Sequence, residues 1–204
     1  MRQPVFALAT ANNGKINEIR DILTNLGIEI TTRAELGIDV DIPETGRTFY
    51  ENALIKARAI CELSGMPAIA DDSGLILEAL GGEPGVDTSS FGGEGLSNSE
   101  RCDYMLERLK GMEPRTAKFV TSVVVCYPGG EIISAEGECR GTIAPEPRGS
   151  NGFGYDPIFI SEGKDRTNAE LTPDEKHEIS HRGKALRALA AQLTNNEKRV
   201  LNNE

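Results

Sequence analysis

Tryptophan is missing from this chain, aromatic residues make up 5% of it, and only two histidines and four cysteines occur among its 204 residues. Each scarcity removes a class of reading. The cysteines (Cys61, Cys102, Cys126, Cys139) are scattered with no C-x-x-C spacing, so neither a zinc site nor a disulfide framework is expected. Small buried thiols in a reducing cytoplasm fit better. No apolar run approaches membrane-spanning length, and Met1-Arg2-Gln3-Pro4 leads into a strand-like run with no signal-peptide core, so no membrane is expected as a partner. Cations are the minority: 22 Lys+Arg against 32 Asp+Glu leave a formal charge of −10, which argues against a protein that tracks a nucleic-acid polymer. A small anionic ligand stays open, because a few local lysines and a bound metal can reverse the field at one site. Walker A spacing, G-x-G-x-x-G and internal repeats are all lacking, so neither standard nucleotide motif applies.

What is present is a strand-and-helix alternation. Val5–Thr10 reads as a buried strand, and Ile16, Ile19, Leu23 and Leu26 lie at helical spacing over Lys15–Leu26 until Gly27 stops them. Ile28–Thr32 reads as a second strand, Asp39–Thr48 as a polar connection, Thr48–Ser64 as a second helix, and Pro67–Ala70 as a third strand ending in a glycine turn. This β-α-β-α-β order favours an α/β sheet with helices packed on it. Ser97…Glu100 is a capping box opening a helix to about Lys110. Lys118–Tyr127 and Glu131–Arg140, joined by Pro128-Gly129-Gly130, read as an antiparallel hairpin. A smaller lobe around that hairpin would form a cleft against the first sheet. Thr172-Pro173-Asp174-Glu175 marks a late helix start, and Ser180 can cap the last helix with Leu186, Leu189 and Leu193 inward. The expected organisation is one catalytic domain of two lobes over 1–194 and a polar, frayed tail over 195–204.

Adjacent Asp71 and Asp72, after the apolar run Pro67–Ala70 and before Ser73-Gly74, stand out chemically. Like charges this close repel, and burial adds to the cost. A hard cation such as Mg²⁺ would remove the penalty. Alone, the pair reads slightly more readily as one turn cap and one solvated carboxylate. Thr10-Ala11-Asn12-Asn13-Gly14-Lys15 is a strand-to-helix turn that offers backbone N–H groups to a phosphate, or simply an ordinary cap. Lys15 sits in the first helical turn, where the macrodipole disfavours it. Glu44 lies in a proline–glycine connection suited to a ligand-facing loop. Lys56, in an apolar stretch, either snorkels to solvent or reaches a phosphate. In Gly152-Phe153-Gly154-Tyr155-Asp156, Phe153 is placed to stack on a base or to anchor a turn, while Tyr155 reads as a core anchor. Lys176 and Arg182 offer a basic closure over a polyphosphate; His177 or His181 reads as a catalytic imidazole or, more commonly near a helix start, as a cap or core residue.

Six motifs occur in order: Thr10-x-Asn12-x-x-Lys15, Phe49-x-Glu51-Asn52-Ala53-x-x-Lys56-Ala57, Ala70-Asp71-Asp72-Ser73-Gly74-Leu75, Leu80-Gly81-Gly82-x-Pro84-Gly85, Gly152-Phe153-Gly154-Tyr155-Asp156-Pro157-Ile158-Phe159, and Glu170-Leu171-x-x-x-Glu175-Lys176-x-x-Ile179-Ser180-His181-Arg182-Gly183. Together they resemble the inosine/xanthosine triphosphate pyrophosphatase family over all but the C-terminal tail. The resemblance implies an elongated mixed sheet with flanking helices and two lobes forming a central cleft. It also implies a homodimer and Mg²⁺-dependent hydrolysis of ITP, dITP and XTP to the monophosphate and pyrophosphate. By the same resemblance Asp72 is the general base and a metal ligand, Glu44 the second metal ligand, and Asp71 a supporting acid. Thr10 to Lys15, Ser73, Lys56 and Lys176 would contact the triphosphate; Phe153, Gly154, Tyr155, Asp156, His181 and Arg182 would form the 6-oxopurine pocket. One departure is Ser90, at a place where the family commonly has arginine; it bears on the loop after Gly85, not on the metal site. Three rivals remain: an aspartyl-nucleophile phosphatase, whose two aspartates would be separated by one residue; a nucleotide-binding or tRNA-associated module without turnover; and a member turned to pyrimidine or modified nucleotides.

Overall fold

A computed structural model describes the backbone of residues 5–201 and the side chains of 5–194. Met1–Pro4 and residues 202–204 lie outside the described residues, as do the side chains of the expected tail. The elements run β1 (Phe6–Leu8), α1 (Asn13–Asn25), β2 (Ile30–Thr32), α2 (Phe49–Ser64), β3 (Ala68–Leu77), α3 (Asn98–Arg108), β4 (Thr116–Cys126), β5 (Ile132–Ile143), β6 (Phe159–Ser161), α4 (Pro173–Ile179) and α5 (His181–Leu201). Six strands form one sheet in the order β2-β1-β3-β4-β5-β6. It is mixed: β1 pairs parallel with β2 and β3, and β5 pairs antiparallel with β6. The expected α/β class and the hairpin therefore hold, the latter closed by Tyr127 N–H to Glu131 O at 2.9 Å.

Local chemistry sets the helix ends. Asn12 caps α1 by accepting from Lys15 N–H, and Thr48 with Glu51 forms a capping box on α2, which stops at Gly65 with φ +67°. The inward face of α2 carries Asn52, Ala53, Lys56, Ala57, Ile60 and Cys61. Its alanines bring the helix backbone close to the sheet, and its two polar residues, four apart, share that face. Backbone α5 continues to Leu201, past the boundary drawn at 194.

One element differs from the expectation. β3 does not end at Ala70 in a turn; it continues through Asp71-Asp72-Ser73-Gly74 to Leu77 and is buried along most of its length. Leu75 and Leu77 are fully buried apolar residues that favour continuing the strand, and each aspartate finds cationic partners that make mid-strand burial tolerable.

The chain divides into two compact units. The first takes the chain up to Asp72, Thr121–Gly137, and the chain from Arg182 onward. It has two apolar layers: one joins Ile19, Leu23, Ile69, Val123, Leu186 and Leu189, and the other joins Ala7, Ala53, Ala57, Ile60, Ala70 and Val124. The second unit, Ser73–Val120 with Glu138–His181, packs Leu75, Leu77, Met105, Phe119, Tyr155, Ile158 and Phe159. Each fully buried Leu, Ile or Phe contributes roughly 1.5–3 kcal/mol of transfer free energy, so each unit has an apolar core that fixes its strands.

Candidate active site

In the first unit, adjacency of Asp71 and Asp72 does not mean shared surroundings. Successive residues of a strand point to opposite faces, and the two carboxylates meet different helices. Asp71, fully buried, receives Lys15 Nζ at 3.1 Å on Oδ2, with Arg182 Nη2 at 3.1 Å and Nε at 3.3 Å on the same oxygen. Arg182 Nη1 also bonds Glu18 Oε2. Asp71, Glu18, Lys15 and Arg182, from β3, α1 and α5, thus join in one buried ion-pair network. Burial disfavours the Arg182 cation, but Asp71 and Glu18 more than offset this and hold it charged. Burial pulls the Lys15 ammonium below its ordinary value, and nearby Arg182 and Lys56 act in the same direction against Asp71.

Asp72 faces α2. Its Oδ1 accepts from Lys56 Nζ at 3.0 Å and its Oδ2 from Asn52 Nδ2 at 3.4 Å. Its backbone carbonyl accepts from Thr121 Oγ1 at 3.0 Å. Lys56 Nζ bonds Glu44 Oε2 at 2.8 Å as well, so one ammonium is held between two carboxylates. Glu44 is half exposed and Asp72 nearly covered, with side-chain exposures of 45% and 10%. Desolvation pushes Asp72 up to about 6, against the pull of Lys56 and Lys15. Burial lowers Lys56, but Asp72, Asp71 and Glu44 outweigh it and hold the ammonium above its ordinary value. A carboxyl titrating near neutrality beside lysines is the form expected of a general base.

The loop carrying Glu44 is pinned by the same helix. Gly46 N–H donates to Asn52 Oδ1 at 2.8 Å. A Cβ on Gly46 would lie 2.6 Å from that oxygen and 2.6 Å from Glu51 Cβ, so only glycine permits the approach. Asn52 therefore holds Glu44's loop with its oxygen and Asp72 with its nitrogen. In the turn after β1, Thr10 Oγ1 accepts Asn12 N–H at 3.1 Å, and Asn12 Oδ1 accepts Lys15 N–H at 3.1 Å. Ala11, Asn12 and Asn13 are exposed, Gly14 is half-buried, and the first turn of α1 carries no acid. Ahead of the capped Lys15 N–H, the backbone of Asn13 and Gly14 opens the helix, the end at which an anion is favoured.

The second unit holds the other residues singled out by sequence. Asp156 Oδ2 accepts Phe153 N–H at 2.8 Å and bonds Lys176 Nζ, which lies 5.1 Å from the Phe153 ring centroid. His181 is stacked on Phe119 with centroids 4.8 Å apart and an interplanar angle of 13°. Tyr155 is core: it is 2% exposed and donates to Thr88 O at 3.3 Å. Gly154 O accepts from Cys102 Sγ at 3.4 Å. Ser73 is half-buried at the start of this unit, and Ser90 Oγ donates to Asp87 O at 3.3 Å.

The structure thus brings Lys15, Asp71 and Arg182 together, and separately Glu44, Lys56 and Asp72. It likewise groups Phe153, Asp156 and Lys176. Sequence reasoning missed Glu18, Asn52, Thr121 and Phe119 as partners. Asn52 was within reach, since it lies one turn before Lys56 on an otherwise apolar face; Phe119 carried no signal beyond a strand pattern. Among the described residues no three His, Cys, Asp or Glu side chains gather into a metal-binding group. Glu44 and Asp72 still suit a hard divalent ion, because such an ion takes one or two carboxylates and completes its shell with water and phosphate oxygens.

Known proteins resemble this chain along nearly its whole length. A dITP/XTP pyrophosphatase of Aquifex aeolicus is 50% identical over 200 residues, covering 94% of this chain and 97% of its own. The dITP/XTP pyrophosphatase of Bacillus subtilis is 47% identical over 188 residues, covering 91% and 95%. A HAM1 protein from Coxiella burnetii has a solved structure with a TM-score of 0.85 and 42% identity, covering 95% of this chain and 100% of its own. The Staphylococcus aureus Ham1 protein gives 0.83 and 38%, with 94% and 99% covered. A model of the Ham1 family matches residues 6–192, and with these relatives it shows that the chain belongs to the Ham1 family.

Proposed function

We propose that the protein hydrolyses non-standard purine nucleoside triphosphates (ITP, dITP and XTP) to the monophosphate and pyrophosphate. The observation that carries this reading is Asp72: a desolvated carboxyl pushed up to about 6, bonded to a lysine that it shares with Glu44. The relatives' names supply the substrate class. In the reaction, water oxygen bonds to the α-phosphorus, the α–β bridging P–O bond breaks, and Asp72 takes the water's proton. Lys56 steadies the Asp72 carboxylate, while Lys15 and the N–H groups at the start of α1 face the polyphosphate charge. Asp71 supports the site by holding Lys15 and Arg182 in place. Glu44 and Asp72 would hold Mg²⁺, which when bound neutralises charge on the phosphates and the departing pyrophosphate.

For the purine, the second unit offers Phe153 as a stacking ring, with the Asp156–Lys176 pair and His181 as polar contacts. A donor set for O6 would leave the 6-amino group of ATP facing another donor, which is the basis for rejecting it. The reading includes a homodimer and a cytoplasmic setting; four free cysteines support the reducing compartment. Nucleoside triphosphates supplied one at a time with Mg²⁺, with pyrophosphate and orthophosphate measured separately, test it. Pyrophosphate from ITP, dITP and XTP is expected. Orthophosphate would favour a phosphatase, and ITP binding without either product would favour a binding module.

A further inference from the structure

Asp156 is held by a third donor that the motifs do not include. Asn168 Nδ2 lies 3.3 Å from Asp156 Oδ1, while Phe153 N–H and Lys176 Nζ occupy Oδ2. Behind Asn168, Ser161 Oγ donates to Asn168 Oδ1 at 2.7 Å, and Cys139 Sγ lies 3.4 Å from Ser161 Oγ. The three polar side chains are essentially sealed, with exposures of 2% for Ser161, 2% for Asn168 and 3% for Asp156. The chain has one favourable direction. A flipped Asn168 amide would set its oxygen against the Asp156 carboxylate, and the Ser161 hydroxyl opposes that flip by donating to the oxygen. Asn168 therefore presents N–H to the carboxylate.

The backbone places Asn168 there for a definable reason. It opens a 3₁₀ turn, Asn168–Glu170, capped by Thr167 and Glu170, and Thr167 Oγ1 donates to Arg148 O at 2.7 Å. Ser150 and Asn151 N–H groups donate to Ala169 O at 3.1 and 3.0 Å, and Asn151 Nδ2 donates to Leu171 O at 2.9 Å. The turn is thus stitched to the loop ahead of Phe153. Gly152 completes the fit: its φ is +73°, and a Cβ there would fall 2.1 Å from Asp156 Oδ2.

We propose that Asn168, oriented by Ser161, is a positioning residue for purine selection: it aims the Asp156 carboxylate, and through it the Phe153 backbone and the Lys176 ammonium. The proposal rests on the purine-binding role given to this loop under the pyrophosphatase reading. Nothing in the metal and base chemistry at Asp72 depends on it, so the effect belongs in substrate binding and selectivity and not in the rate of the chemical step.

Asn168→Asp tests it, since the variant keeps the shape, loses the donor and sets a like charge against Asp156. The kcat/KM for ITP is expected to fall about 10- to 100-fold, the range for losing a bond to a charged acceptor, almost entirely through KM. Preference for ITP over ATP should shrink by a similar factor. Amide hydrogen exchange across 149–156, which needs no substrate, should quicken by about tenfold or more as the Phe153 N–H loses its fixed acceptor. Ser161→Ala leaves the carboxylate its donor but frees the amide to flip, so it should move all three readouts the same way, by roughly 3- to 10-fold, and it carries the test if Asn168→Asp fails to fold. Unchanged exchange, a loss confined to kcat, or equal losses on ITP and ATP would overturn the positioning role. If the wild-type protein releases no pyrophosphate from any purine triphosphate, the pyrophosphatase reading falls, and the exchange rates alone decide whether Asn168 holds the loop.

Discussion

Replacing Asp72 by Asn should make the protein more stable while removing its turnover. The folded chain raises this carboxyl from 3.8 to about 6, a difference of about two units, or roughly 3 kcal/mol at about 1.36 kcal/mol per unit. Because the fold binds the proton more tightly than the unfolded chain does, stability falls as pH rises between about 4 and 6 and levels off above. An amide carries no such cost. It does lose something: its Nδ2 would face Asn52 Nδ2, whose own oxygen is already taken by Gly46 N–H, a loss of about 1 kcal/mol. The net gain is about 1–2 kcal/mol at pH 7, or roughly 2–8 °C in melting temperature for a chain of this size. Turnover should fall by about 10²–10⁴, the usual share of a general base. Paired thermal melts at pH 4, 5, 6 and 7.5 without divalent metal, beside a pyrophosphate assay, check both halves. The gap between variant and wild type should open across pH 4 to 6 and then stay constant. A variant that melts lower than wild type at pH 7.5, or a gap independent of pH, would refute the desolvation reasoning; near-normal turnover would remove Asp72 as the base.

The neighbouring aspartate should respond with the opposite sign: Asp71→Asn leaves Arg182 and Lys15 under-compensated in the core and should destabilise by about 3–5 kcal/mol in urea unfolding. Lys56→Met removes the cation between Glu44 and Asp72, so Asp72 should titrate higher and the acid limb of the kcat/KM profile should move up in pH, with activity at pH 7 reduced at least about tenfold. Gly152→Ala meets both a positive φ and the Asp156 carboxylate; a loss of about 1–3 kcal/mol in stability with a raised KM for ITP is expected, measured by melting and initial rates.

Much of the fold was legible because it rests on local patterns: helical spacing over Ile16–Leu26, the Ser97–Glu100 cap and the glycine turn of the hairpin. The course of β3 was not. Adjacent aspartates before Ser-Gly resemble a turn, and only distant partners, Lys15 and Arg182 on one face and Lys56 on the other, make a buried strand there affordable. The same distance effect hid Glu18 and Asn168: each is one polar residue in its own segment, and it gains meaning only where Arg182 or Asp156 is brought to it. The candidate acids and lysines were legible as residue types. Their division into one network around Asp71 and another around Asp72 follows from the alternation of a strand that runs on past Ala70, where the sequence suggests a turn.

The central claim, that Asp72 and its lysine act on non-standard purine triphosphates at the α-phosphorus, is tested most directly by hydrolysing ITP in ¹⁸O-labelled water with Mg²⁺ and locating the label. Label in the monophosphate together with unlabelled pyrophosphate, and a kcat/KM for ITP well above that for ATP, is the predicted result. Label in orthophosphate, or equal use of ITP and ATP, would contradict it.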